Sequence, residues 1–180
     1  MTTKKRLTRK ETIAAAKSIS TKRVIDNFDG KYEFLSNFYP SVVYFDGAYW
    51  QTVEHAYQAA KTLDWEARKT IWLAPRPGQA KALGREVVKR EGWETEHRER
   101  IMLSLLRQKF AWGTPLSMRL VMTGDAHLIE GNDWGDMTWG MVKDKEKKVD
   151  GGKEFWVGRN LLGEMLMQVR GEIVAKGVVP

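Results

Sequence analysis

The chain has 180 residues, no cysteine and a formal net charge of +7 at pH 7. Its length and its 42% hydrophobic content suit one globular domain. The lack of cysteine excludes disulfides, thiolate metal ligands and cysteine nucleophiles. No apolar run approaches the ~18 residues of a membrane span, and no signal-peptide core is present, so we expect a cytoplasmic protein with no membrane partner.

The positive charge is concentrated at the start of the chain. Residues 1–23 hold eight basic residues against one acidic residue, whereas the rest has 22 of each. We therefore divide the chain into a basic N-terminal arm, 1–23, and a catalytic domain, 24–180. The arm is either a solubilising tail or a segment that contacts nucleic acid.

Aromatic runs separated by Asp-Gly and Tyr-Pro pairs predict short antiparallel strands before residue 51. We expect a strand near 24–28 and a hairpin near 41–50 that turns at Asp46-Gly47. The segment Ser36-Asn37-Phe38 then lies on a loop near the central helix, where it either binds a ligand or closes the loop.

The central helix is predicted over 52–63, with Thr52 as its N-cap. Glu54 and Lys61 lie about 20° apart on one face, separated by roughly 10.5 Å of axial rise. Tyr57 and Gln58 flank them on the same arc. A simpler interpretation is a first-turn carboxylate favoured by the helix dipole and a solvated surface lysine.

Further helices are predicted over 65–73, 79–90, 95–110, 115–124 and 160–175, with Asp64, Thr95, Thr114 and Asn160 as caps. Lys81, Arg85 and Lys89 form a basic stripe that is either a solvated face or a phosphate contact. A two-stranded ribbon with its turn near 150–152 precedes the last helix. These elements predict a mainly helical α+β single domain with a small antiparallel sheet.

Several chemistries lack the residues they need. The chain has no P-loop, no dinucleotide fingerprint and no nucleophile elbow, and its three histidines are far apart, so we expect no metal and no cofactor. Glu54 and Asp136 are carboxylates able to stabilise an oxocarbenium-like state or activate water. Lys61, kept neutral by burial, could instead attack an anomeric carbon. Trp93 and Trp139 could stack on a base or belong to the core.

A series of ordered motifs resembles the NADAR superfamily of YbiA-like proteins, from about residue 28 to 170. The matching positions are Phe34-Leu35-Ser36-Asn37-Phe38-Tyr39-Pro40, Gly47, Tyr49, Thr52, Glu54-His55, Tyr57-Gln58, Lys61, Trp93, Arg98, Met102, Lys109-Phe110, Thr123-Gly124, Glu130, Asp136, Trp139-Gly140, Gly158, Asn160, Leu162-Gly163, Leu166-Met167 and Arg170. The basic arm and a lysine-rich insertion depart from the family pattern.

The resemblance implies an N-glycosidase of NAD, ADP-ribose or riboflavin metabolism, acting on ADP-ribosylated guanine in DNA or on a ribosylaminopyrimidine phosphate. It implies that Glu54, Lys61 and Asp136 are catalytic. Substrate contacts are implied for Asn37, Tyr57, Trp93, Arg98, Trp139 and Asn160. The alternative is a non-catalytic ADP-ribose or nucleotide-binding module. For either function we expect a monomer whose partner is a small nucleotide or an ADP-ribosylated nucleic acid.

Overall fold

The structure is a computed structural model, and it describes residues 23–149 and 153–177. The described chain divides into two compact units. Unit 1 contains the residues up to Asn27 together with Thr123–Glu164, and unit 2 contains Phe28–Met122 and the residues from Met165 onwards. Among the described residues, no helix combines the length and the apolar character that a membrane crossing requires.

Helices make up most of unit 2. A 3₁₀-helix covers Gly30–Leu35 and a single π-helical turn covers Trp93–His97. The α-helices are α1 (Val53–Ala59), α2 (Trp65–Trp72), α3 (Pro77–Glu86), α4 (Arg98–Lys109) and α5 (Pro115–Val121). The predicted caps of three helices are confirmed, because the side chains of Thr52, Asp64 and Thr114 each accept a first-turn backbone N–H.

The predicted hairpin is also confirmed in unit 2. Strands β2 (Val43–Phe45) and β3 (Ala48–Trp50) pair antiparallel. Both turn residues have positive φ, 49° at Asp46 and 85° at Gly47. This is the two-residue turn that an Asp-Gly pair favours, since its twist matches that of the flanking strands.

The central helix α1 is shorter than predicted, because it ends at Ala59 and leaves Lys61 in the following turn. The cause lies in α2: the Arg68 guanidinium donates to the carbonyl oxygens of Ala59, 3.3 Å away, and Thr62, 2.8 Å away. These bonds satisfy carbonyls that helix termini otherwise leave without a partner. α1 contacts α2, α3 and α4, and all seven of its residues are buried.

Two other helix boundaries also differ from the prediction. α3 covers Pro77–Glu86 and not 79–90, because Pro77 fits the first helical position and Val87 adopts an extended backbone. Thr95 does not cap a helix. The helical segment starts earlier, after Gly92 with φ 69°, and passes through the π-helical turn into α4.

Unit 1 contains the remaining strands, β1 (Val24–Ile25), β4 (His127–Leu128), β5 (Val142–Val149) and β6 (Lys153–Val157). β5 and β6 form the predicted antiparallel ribbon, and its predicted turn at 150–152 lies outside the described residues. The strand predicted over 24–28 is reduced to β1, which pairs with β4 in parallel rather than antiparallel. The expectation of antiparallel pairing for this strand was wrong, because β1 bonds in parallel to β4, where Val24 is opposite His127.

The last helix, α6, covers Leu161–Ala175; its first turn belongs to unit 1 and the rest to unit 2. The helices outnumber the short strands among the described residues, and the longest strand pair is antiparallel. The mainly helical α+β class is therefore confirmed. The basic arm, 1–23, lies outside the described residues except for Arg23, which donates to the Thr123 carbonyl oxygen at 2.8 Å within unit 1.

Candidate active site

Polar side chains of α1 are buried although buried polar groups usually need partners. His55 has a structural explanation: one ring nitrogen lies 2.8 Å from the Thr52 hydroxyl and the other lies 3.0 Å from the Ala74 carbonyl oxygen. Both of its nitrogens are therefore used to fix α1. Glu54 and Gln58, on another side of the helix, are also buried, and Gln58 Nε2 donates to Glu54 Oε1 at 2.7 Å.

Glu54 is a buried carboxylate with 6% of its surface exposed. Burial raises the pKa of the carboxyl above its ordinary value, because the charged form loses its hydration. A 2.7 Å hydrogen bond from Gln58 Nε2 and the positive charges of Lys81, Lys61 and Arg85 oppose that rise without cancelling it. Glu54 is therefore able to hold a proton more easily than a surface glutamate.

Lys61 follows the end of α1 and points its side chain towards α3. Its Nζ donates to the Gly84 carbonyl oxygen at 3.0 Å. Burial lowers the pKa of the Lys61 amine, and the Glu54 carboxylate partly opposes that change. Lys61 and Glu54 thus act on each other's pKa, although Lys61 lies beyond the helix that the sequence predicted for it.

The contact between α1 and α3 requires a glycine at position 84. A Cβ built on Gly84 would lie 2.7 Å from Gln58 Cβ and 2.8 Å from its Cδ, closer than real Cβ atoms approach such neighbours. Gln58 Oε1 is buried and has no hydrogen-bond partner in the described part of the chain. The same glycine therefore admits the Gln58 side chain and accepts the bond from Lys61.

The predicted ligand loop is fixed against the start of α1. The Asn37 carbonyl oxygen accepts the Glu54 backbone N–H at 3.1 Å, and Lys109 Nζ donates to the Ser36 carbonyl oxygen at 2.6 Å. Asn37 Nδ2 donates to Met102 Sδ at 3.5 Å, whereas its Oδ1 is buried without a partner among the described residues. Asn37 therefore bonds to the Glu54 backbone through its carbonyl oxygen and keeps an unused side-chain acceptor within the described residues.

Three other predicted contact residues, Tyr57, Trp93 and Arg98, also belong to unit 2. Tyr57 and Trp93 are buried, and their ring centroids are 5.2 Å apart. Trp93 thus packs on Tyr57. Arg98 pairs with Glu94 at 2.6 Å, while its Nε is buried and has no hydrogen-bond partner within the described residues.

The other three predicted site residues belong to unit 1. Asp136 Oδ1 accepts the backbone N–H groups of Thr138 and Trp139, both at 2.9 Å. The carbonyl oxygens of Thr138 and Trp139 in turn accept N–H groups from the start of α6, at 3.2 and 3.0 Å. Asp136 therefore holds the turn that carries Trp139.

Asn160 is buried at the start of α6, with a φ of 52°. Its backbone carbonyl oxygen accepts the Glu164 N–H at 2.9 Å. Its side chain does not cap the helix as predicted, because Oδ1 accepts from Glu130 N at 3.0 Å and Nδ2 donates to the Leu128 carbonyl oxygen at 2.8 Å. The side chain thus ties the helix start to β4 inside unit 1.

Sequence reasoning missed two residues of the unit 2 site, Gly84 and Lys109, as functional positions. Two signals were available. Gly84 lies inside one predicted helix, and Lys109 lies on the apolar face of another, and each placement usually has a packing or hydrogen-bonding reason. The site itself combines a buried carboxyl whose pKa is raised with an amine whose pKa is lowered, both mainly by burial. Such a pair can donate a proton to a leaving group and attack an electrophilic carbon.

Comparisons with known proteins identify the family of this chain. The NADAR domain family model matches residues 25–174. N-glycosidase YbiA of Escherichia coli is 35% identical over 144 residues, which cover 79% of this chain and 82% of that protein. An N-glycosidase of Nostoc punctiforme is 35% identical over 147 residues, covering 79% of this chain and 86% of that protein.

A riboflavin biosynthesis protein of Vibrio vulnificus is 37% identical over 147 residues, covering 81% of this chain and 36% of that protein. The match therefore spans about a third of that longer relative. The NMR structure of Escherichia coli YbiA superposes with a TM-score of 0.64 and 30% identity, covering 87% of this chain and 90% of that one. The chain therefore belongs to the NADAR domain family, and its fold is that of YbiA.

Proposed function

We propose that this protein is an N-glycosidase that hydrolyses the bond between a base or amine and ribose in a phosphoribosyl or ADP-ribosyl conjugate. The observation that carries the proposal is the combination of buried Glu54 with half-buried Lys61. Burial raises the pKa of the carboxyl and lowers the pKa of the amine. Relatives named N-glycosidase and riboflavin biosynthesis protein support the same reaction class. A module that only binds nucleotides has little need of this pair.

Glu54 acts first as the general acid. The departing base must gain a proton at the nitrogen that leaves the anomeric carbon, and burial, which raises the pKa of the Glu54 carboxyl, favours the protonated form that supplies this proton. Gln58 Nε2 orients the carboxyl group through Oε1. Asn37 Oδ1, which has no partner among the described residues, accepts a hydrogen bond from a ribose hydroxyl group.

Lys61 acts as the nucleophile. Its Nζ gives one N–H to the Gly84 carbonyl, and the neutral amine keeps a lone pair that attacks the anomeric carbon. The bond from this carbon to the base breaks as the Glu54 proton reaches the base. The Glu54 carboxylate then removes a proton from Nζ. Opening of the ribose ring gives an imine, and water adds to its carbon and releases the sugar, restoring the amine.

The remaining predicted residues have supporting roles in this proposal. For Asp136 the proposed role is to stabilise positive charge on the ribose, and for Trp139 it is to stack on the base. Substrate contacts stay a prediction for Tyr57, Trp93, Arg98 and Asn160. The proposed substrates are ADP-ribosylated guanine in DNA and a ribosylaminopyrimidine phosphate, and no cofactor takes part.

Incubation of the protein with each substrate in turn, followed by chromatography of released base and sugar, tests the proposal. The wild type should release both products from at least one substrate. Lys61→Arg keeps a basic side chain but removes the nucleophilic amine, so kcat should fall by about 10³-fold or more. Lys69→Arg, at an exposed position of α2, is the control for the same exchange and should keep full activity.

Tight binding of ADP-ribose by a wild type that hydrolyses neither conjugate would favour the binding module instead. Full activity of Lys61→Arg would leave the N-glycosidase intact and transfer the attack to water, activated by a carboxylate.

A further inference from the structure

Positive charge surrounds Glu54 on the side of α3. The three charged side chains with the strongest effect on its carboxyl group, Lys81, Lys61 and Arg85, are all cationic. Lys81 and Arg85 are four residues apart on α3 and therefore lie on one face of that helix. The helix thus presents two cations beside the carboxyl group of α1.

Glu54, Lys61, Lys81 and Arg85 form a charged cluster. Its net charge does not change when a proton moves between Glu54 and Lys61. Glu54 and Lys61 together carry no net charge, either as an ion pair or as a neutral acid and amine. Lys81 and Arg85 each add one formal positive charge, and a phosphate monoester carries a charge of about −1.5 to −2 at pH 7. The cluster therefore complements a phosphorylated ligand in either protonation state.

Lys89, the third residue of the basic stripe, differs from Lys81 and Arg85. Lys89 lies beyond the end of α3 and is paired with Glu94 at 2.6 Å, so its charge is already balanced. Arg85 is exposed and has no hydrogen bond or ion pair within the described part of the chain. Its guanidinium is available for the bidentate contact that phosphate favours.

An aromatic ring lies at the other end of the pair. Lys81 Nζ is 5.7 Å from the centroid of Phe38, which is 39% exposed on the loop that also carries Asn37. The Asn37 carbonyl oxygen accepts the Glu54 N–H at 3.1 Å. The cations, the exposed ring and the catalytic carboxyl group therefore all adjoin the start of α1 and the face of α3.

We infer that Lys81 and Arg85 form a binding site for the phosphoryl group on the ribose O5′ of the substrate. The inference rests on the proposed function for the position of the ribose, and it adds the residues that select a phosphorylated sugar. The phosphoryl group belongs either to a monoester, as in ribose 5-phosphate, or to a diphosphate, as in ADP-ribose. Both present the same charged oxygens to the two side chains.

Binding of sugars to the full chain tests this site without any need for turnover. Calorimetry at fixed, low salt gives the affinities of ribose, ribose 5-phosphate and ADP-ribose for wild type, Lys81→Met and Arg85→Met. Low salt is needed because exposed charges are screened over a Debye length of about 10 Å at 0.1 M. Lys69→Met is the matched control, since it removes one exposed cation from α2. Melting temperatures confirm that each variant is folded.

The wild type should bind at least one of the two phosphorylated sugars about 100-fold or more tightly than ribose, because each of the two cations contributes about 10-fold or more. Each of Lys81→Met and Arg85→Met should reduce that preference by about 10- to 100-fold, the range for a hydrogen bond to a charged group. Lys69→Met should leave it unchanged. A preference for ribose 5-phosphate identifies the monoester as the source, and a preference for ADP-ribose alone identifies the diphosphate.

An equal phosphate preference in wild type, Lys81→Met and Arg85→Met would overturn the inference, as would a wild type that binds ribose as well as both phosphorylated sugars. Failure of the proposed function has a different signature. In that case no conjugate is hydrolysed, while the phosphate preference and its loss in the two variants persist.

Discussion

Lys61 Nζ donates a hydrogen bond to the carbonyl oxygen of Gly84, 3.0 Å away on the neighbouring helix. The bond holds the amine where α1 and α3 meet and leaves a lone pair for chemistry when the amine is neutral. Gln58, which donates to Glu54, packs against the same glycine. One residue of α3 thus positions both members of the proposed catalytic pair.

Gly84→Ala should therefore lower both stability and activity. The added methyl group collides with Gln58, and overpacking of this kind costs about 1–3 kcal/mol of unfolding free energy. Chemical denaturation and kcat measurements check the prediction. Gly171→Ala in α6 is the control: a Cβ there meets no atom within 4 Å, so the helix should gain up to about 1 kcal/mol. Equal behaviour of the two variants would contradict the proposed contact.

Glu54→Gln should become increasingly more stable than the wild type as pH rises. The folded state raises the pKa of Glu54, so above the ordinary pKa it binds more protons than the unfolded state, and the wild type loses unfolding free energy up to the raised pKa. The carboxamide of the variant has no charge to desolvate, although it also gives up the attraction of Lys81, Lys61 and Arg85.

Denaturant titrations from roughly pH 4 to pH 8 measure this difference, which we expect to reach about 1–3 kcal/mol. Activity should fall by about 10²- to 10⁴-fold in the same variant. Glu66→Gln, on the exposed side of α2, controls for removal of one negative charge. A variant whose advantage shrinks as pH rises would show that the cations, and not burial, dominate at Glu54.

Two substitutions of Asp136 separate its charge from its bonds. Asp136→Asn keeps an Oδ1 that accepts the N–H groups of Thr138 and Trp139, whereas Asp136→Ala removes that acceptor. We expect Asn to lower kcat with little change in melting temperature, and Ala to lower both, with about 0.5–2 kcal/mol of stability lost, as for a lost cap. If Asp136→Asn keeps the wild-type kcat, the role of Asp136 is limited to holding the turn.

Removal of residues 1–22 should weaken binding to ADP-ribosylated DNA and flatten its salt dependence. The deletion stops at residue 22 because Arg23 bonds to Thr123 within unit 1. Seven of the eight basic residues of the arm are thereby lost. Turnover of a small ribosyl conjugate should stay nearly unchanged. An equal loss of activity on both substrates would show that the arm helps to build the folded domain and does not bind nucleic acid.

Local signals predicted the parts of the fold that depend on neighbouring residues. Thr52, Asp64 and Thr114 cap helices as expected, and Asp46-Gly47 turns a hairpin, since cap and turn chemistry acts within a few residues. The end of α1 was not predictable in this way, because Arg68 of the next helix supplies the bonds that end it.

The candidate site also contains features that local sequence could predict and features that depend on contacts between distant residues. Glu54 and Lys61 were found from spacing and from the family resemblance, but spacing assumed a helix that continues to residue 63. The role of Gly84 depends on contact between two helices that no local pattern specifies. The pairing of β1 with β4 likewise joins two-residue strands far apart in the chain, too short for a periodic signal.

The central claim is that Lys61 attacks the anomeric carbon, and reductive trapping tests it most directly. Borohydride added during turnover reduces the proposed imine to a stable secondary amine, which peptide mass spectrometry locates. The account predicts one sugar adduct on Lys61 in the wild type, an adduct on the same residue in Lys69→Met, and none in Lys61→Arg. Product release by the wild type without any adduct, or an adduct confined to another lysine, would contradict it.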